Sequence, residues 1–126
     1  MARNSGYIPG PDLRLNQYRV NKISFSAVNG LTKRPNDWAV TITFYAALHL
    51  IEKYLTIKYG KHKRKHEDRK RLVVEEEVFG EEVADAYLAL FNDCITARYH
   101  CIPITDKQVT DAVKYLNIIE DRLTNV

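Results

Sequence analysis

Residues 37–59, DWAVTITFYAALHLIEKYLTIKY, decide the fold. From Trp38 to Ile51, fourteen residues, there is no Lys, Arg, Asp or Glu, and the apolar side chains fall on most sides of a helix. A helix of that kind is either surrounded by other helices or spans a membrane. A span needs about 20 residues, and His49, Glu52 and Lys53 interrupt this one. The segment is therefore expected as the central helix of a bundle, with Trp38 and Ile57 among the side chains facing its neighbours. Asn36 or Asp37 offers an N-cap side chain, and Gly60 a stop.

Working outward, residues 1–11 carry turn chemistry (Asn4, Ser5, Gly6, Pro9, Gly10, Pro11) and no period, so an N-terminal loop is expected. Asp12 to Asn29 reads as a helix stopped by Gly30. Glu67 to about Phe79 reads as a third helix, and Glu81 and Glu82 mark the start of a fourth through the helix dipole. That fourth helix carries an apolar stripe from Val83 to Ile95 with Arg98 at the stripe's end, and Pro103 breaks the chain. Thr105 and Gln108 fit a capping box for a final amphipathic helix with Val109, Ala112, Val113, Leu116, Ile119 and Leu123 on one face. No segment alternates long enough for a strand. The expected fold is all-α, about five helices bundled antiparallel because their connections are short, in a single domain over residues 12–126.

The 126 residues suit one domain. The net charge is only +3 with a pI near 8.8, too weak by itself to declare a nucleic-acid binder. No apolar leader precedes the first prolines, so a cytoplasmic protein with no membrane segment is expected. Cys94 and Cys101 lie seven apart, about 10 Å along one helix, too far to bridge. Two free thiols fit a reducing compartment.

The small net charge conceals an asymmetry. Between Lys58 and Arg71 eight cations face only Glu67 and Asp68, a net +6, which leaves −3 for the rest. Such a block is either a phosphate footprint or a solvated connector. Lys61, Lys63, Arg64, Lys65 and Arg71 are the expected nucleic-acid contacts, together with Tyr45 and Tyr99.

A second feature is a polar line on the central helix: Asp37, Thr41, Tyr45, His49, Glu52 or Lys53, and Thr56, at steps of three or four. It lines a cleft, or it is a set of satisfied buried groups, since unpaired burial costs about 1–3 kcal/mol. His66 and Arg69 at the start of the third helix could hold an anion or serve acid–base chemistry. Arg98 ends an apolar stripe, either capping carbonyls or clamping a phosphate. His62 and His66 are four apart, but Lys63, Arg64 and Lys65 between them and the lack of further ligands argue against a metal. No cofactor is expected: the sequence has no Gly-rich phosphate loop, GxSxG, HExxH or paired CxxC.

Asp37-Trp38-Ala39-Val40, then Phe44-Tyr45-Ala46-Ala47-Leu48-His49, then His66-x-x-Arg69, then Ala97-Arg98-Tyr99 and the final amphipathic helix resemble small prokaryotic HEPN-domain proteins (higher eukaryotes and prokaryotes nucleotide-binding). The resemblance covers roughly residues 36–124. It implies a helical bundle, often dimeric, that binds RNA or nucleotide in a cleft. Many members are metal-independent ribonucleases of toxin–antitoxin, CRISPR-associated and other defence systems, and others are non-catalytic partners of small nucleotidyltransferases. The nuclease members carry an Arg, four to six residues, then a His, and no Arg here has a His at that distance. Two expectations follow. Either a substitute set works, with His66 or His49 as base and Arg69 and Arg98 on the phosphate, or the domain binds RNA, or a protein encoded nearby, without cutting. A homodimer is expected in both cases.

Overall fold

The central segment is a helix; the first, fourth and fifth helices pack around it, and the third packs on the fourth. The computed structural model describes residues 7–124 and contains, among these, five α-helices and no strand. They are α1 (Pro11–Asn29), α2 (Asn36–Tyr59), α3 (His66–Glu75), α4 (Gly80–Ile95) and α5 (Asp106–Leu123), with a π-helical turn at Thr96–His100 between the last two. Residues 1–6 of the expected N-terminal loop, and 125–126 at the end of the expected domain, lie outside the described residues; 7–10 have no regular structure.

Helix α2 packs against α1, α4, α5 and the π turn, which is why it is apolar on most sides. Val40, Phe44, Ala47, Leu50, Ile51 and Leu55 are all essentially inaccessible to solvent. Around them close Val73 of α3, Tyr87 and Leu90 of α4, and Ala112, Ile119 and Leu123 of α5. Helix α1 lies along α2 over the most extensive contact between any two helices, yet few of its own side chains are fully covered. Its one buried side chain is Tyr18, whose hydroxyl donates to the Glu120 carboxylate, which also pairs with Lys22 at 2.7 Å. No described helix is long and apolar enough to cross a membrane.

Three local expectations need correction. The start of α2 has no side-chain cap. Asn36 instead donates to the Ile104 carbonyl and to Asp106, each at 3.0 Å, and Arg34 joins the same carboxylate. The cap residue is thus spent on fastening the start of α2 to the chain entering α5. Helix α3 stops at Glu75, short of Phe79. Lys58 and Tyr59, at the end of α2, both donate to the Glu76 carboxylate, and residue 76 leaves helical geometry. Phe79 then drops into the core against Tyr54, ring centres 5.1 Å apart. Third, Trp38 and Ile57 face outward, 64% and 53% exposed, rather than into the bundle.

The ends of the other elements follow local chemistry. Pro11 opens α1, where its missing N–H is no loss. Gly60 closes α2 at φ +82°, a left-handed conformation that glycine adopts without steric penalty. Cys94 is buried, Cys101 is exposed, and both thiols are free. The capping box at Thr105 forms in full: its hydroxyl accepts from the Gln108 N–H, and the Gln108 side chain accepts from the Thr105 N–H at 2.9 Å. Thr105→Ala should lower the unfolding free energy by about 1 kcal/mol in urea titrations. An unchanged midpoint would mean that the box does not hold the end of α5.

Candidate functional site

The polar line on α2 runs from the exposed start of the helix into the protein. At its buried end the Glu52 carboxylate is 1% exposed. Arg69 of α3 donates to it at 2.8 Å, and Arg64 of the connector reaches both its oxygens at 3.1 and 3.2 Å. Arg14 of α1 approaches to 4.0 Å. Three guanidinium groups therefore surround one carboxylate, an excess of two positive charges. Arg64 also donates to the Thr56 hydroxyl at 3.4 Å, and Arg69 to the carbonyl of residue 64 at 3.3 Å. The Nε of Arg14 is buried without a hydrogen-bond partner.

The same arginines set the state of both candidate histidines. Arg14 lies 3.1 Å from Nδ1 of His49, and Arg69 lies 3.1 Å from Nδ1 of His66. A guanidinium can only donate, so each Nδ1 accepts and each neutral ring carries its proton on Nε2. Burial, followed by the charges of Arg14 and Arg69, holds His49 far below its usual 6.5, at about 4. Burial, with Arg69, Arg98 and Lys70, also lowers His66. Both imidazoles are neutral Nε2–H donors at pH 7.

At the outer end of the line a cleft of about 420 Å³ opens between α1, α2 and the π turn. Trp38, Thr41, Tyr45 and His49 line it from α2, and Gln17 and Asn21 from α1. Arg98 stands at its mouth. Its guanidinium donates to the Tyr45 hydroxyl at 2.6 Å and lies 5.2 Å from the Tyr99 ring centre. Trp38 also borders a second concavity of about 340 Å³ and a third of about 700 Å³.

No family model and no curated protein sequence matches this chain.

The structure gathers Tyr45, His49 and Arg98 at one cleft. It places His66 and Arg69 beyond them, linked through Glu52 and Arg14. The His66 ring lies 5.4 Å from that of Phe91 and 6.3 Å from that of Phe44. The basic block divides: Lys61, Lys63, Lys65 and Arg71 are exposed, while the Arg64 side chain turns inward and is only 6% exposed. Arg71 pairs along α3 with Asp68 and Glu75. Tyr99 is exposed beside Arg98. Among the described residues, no group of three His, Cys, Asp or Glu is placed to hold a metal ion.

Arg14, Gln17, Asn21 and the exposed face of Trp38 were not foreseen as site residues. Arg14 and Gln17 sit in an ordinary amphipathic pattern and gave no signal. Trp38 gave a weak one, as a lone large aromatic in the first turn of a helix, where few neighbours can cover it.

Removing the central carboxylate would strand buried cations. Glu52→Ala should cost about 3–5 kcal/mol in urea unfolding; a loss below about 1 kcal/mol would show that the cluster does not hold the fold. His49 titrates near 4 when folded and near 6.5 when free. Between those values the unfolded chain takes up a proton that the folded chain refuses, so stability falls as pH drops from 6.5 toward 4. His49→Gln should flatten that part of the pH–stability curve, and an unaltered slope would refute the assignment.

Proposed function

We propose that this chain is an RNA- or nucleotide-binding domain of the HEPN type, an antiparallel helical bundle that receives a phosphate-bearing ligand at the cleft between α1 and α2. The observation that carries this reading is the excess of cations: three arginines share Glu52 behind the cleft, and Arg98 stands at its mouth. Phosphate is the anion that guanidinium groups recognise best, through paired N–H donors. Lys61, Lys63 and Lys65, exposed on the connector that follows α2, offer a polyanion further cations. In this reading the protein acts in the cytoplasm as a homodimer, within a defence or toxin–antitoxin system.

Binding is favoured over cutting. A general base must accept a proton, yet His49 and His66 present Nε2–H donors, their Nδ1 atoms being held by arginine. These rings can hydrogen-bond a phosphate or a base edge, and either would have to break its arginine contact to act as the base of a metal-independent ribonuclease. A second reading, a non-catalytic subunit acting by protein association, draws on α1. There Leu13, Val20 and Ile23 are 49%, 43% and 71% exposed at spacings that put them along one strip.

Fluorescence anisotropy with a labelled single-stranded RNA should give affinity that falls with salt. Lys61→Gln, Lys63→Gln and Lys65→Gln combined should weaken it and reduce the slope of log affinity against log salt by roughly 2. In EDTA the RNA should stay intact. Cleavage lost in His66→Ala would make the protein a ribonuclease instead, and no binding at any salt would leave the protein-partner reading.

A further inference from the structure

We propose that the cleft beside Trp38 takes a single unpaired nucleobase, stacked on the indole, with the adjoining phosphate on Arg98; this rests on the nucleic-acid reading above and deepens it. Trp38 is the only tryptophan of the chain and stands 64% exposed in the first turn of a helix whose middle is buried. So large an apolar surface left in water is unfavourable by itself, and the indole forms a wall shared by two concavities that both reach Thr41 and Arg98. A flat aromatic wall with a cation at its edge matches the two halves of a nucleotide, a π-face and a phosphate.

The opposite wall supplies the polar edge. Gln17 and Asn21, four residues apart on α1, are hydrogen-bonded to each other at 2.9 Å. Each amide has both donor and acceptor capacity, and the contact engages one group of the Gln17 amide. The Gln17 amide keeps hydrogen-bonding capacity to meet the edge of a base, and His49 lines the same cleft deeper in.

Arg98 is positioned for the phosphate. It is held by the Tyr45 hydroxyl and flanked by the Tyr45 and Tyr99 rings. Among the described residues it pairs with no carboxylate, unlike Arg14, Arg64 and Arg69 on Glu52. The π-helical turn at Thr96–His100 carries Arg98 and Tyr99 outward at this point, and π turns cluster at functional sites. Paired bases offer no free face to an indole, so a duplex would not satisfy the cleft.

The emission of Trp38 alone reports occupancy. The full chain is titrated with AMP, ribose 5-phosphate, a single-stranded RNA hexamer and a duplex RNA, with anisotropy of labelled hexamer read in parallel. Saturable quenching by AMP or by the hexamer, but not by ribose 5-phosphate or duplex, is expected. Quenching by AMP alone identifies a free nucleotide as the occupant, and by the hexamer alone a strand. Trp38→Ala should weaken binding of that ligand roughly fivefold or more, while Trp38→Phe, which keeps a stacking ring, should lose less. Bound hexamer with unchanged Trp38 emission, or Trp38→Ala binding within twofold of the parent, overturns the stacking site and leaves the RNA reading standing. Absence of both AMP and RNA binding overturns both.

Discussion

A carboxylate with 1% exposure cannot sit in a helical core unpaired. Glu52 makes this protein's architecture conditional on cations arriving from elsewhere in the chain. They come from three places: Arg14 on α1, Arg64 on the connector and Arg69 on α3. The connector between α2 and α3, which has no secondary structure of its own, is thereby fixed against the core by the inward turn of Arg64. One ion cluster thus joins three separate pieces of chain to the central helix.

The same cluster determines the chemistry of its surroundings. Because cations outnumber the carboxylate, the field at His49 and His66 opposes protonation, and the arginine N–H groups occupy the Nδ1 positions. The result is a region of fixed positive charge fringed with neutral hydrogen-bond donors. Such a region suits the binding of an anion. It does not suit proton abstraction, for which a basic nitrogen would have to face the ligand.

The cleft and the cluster are two ends of one polar line along α2. Thr41 and Tyr45 stand where the helix emerges between α1 and the π turn, and Glu52 and Thr56 stand where it is enclosed. Departure from regular α-geometry after Ile95 matters here, because it sets Arg98 beside Tyr45 at the cleft and leaves Tyr99 exposed on the adjoining concavity. Trp38 completes that rim from the first turn of α2.

Much of this was legible in the residues alone. The central position of α2 follows from apolar side chains on most of its sides, its end from Gly60, and the start of α5 from Thr105 and Gln108. These are local effects of periodicity, left-handed backbone and reciprocal capping, and they act within a few residues. The polar line was legible too, since helical spacing alone puts Thr41, Tyr45, His49 and Glu52 on one face. Whether each of those groups is buried, and by what, was not. Arg64 reads like its neighbours Lys63 and Lys65, and only the arrival of Glu52 opposite the connector turns it inward. Asn36 reads as a cap, and only the approach of Ile104 and Asp106 diverts it. Trp38 reads like the apolar residues that follow it, and only the way the surrounding elements pack decides that it stays in solvent. Pairing and exposure depend on partners distant in the chain, so tertiary structure alone decides them.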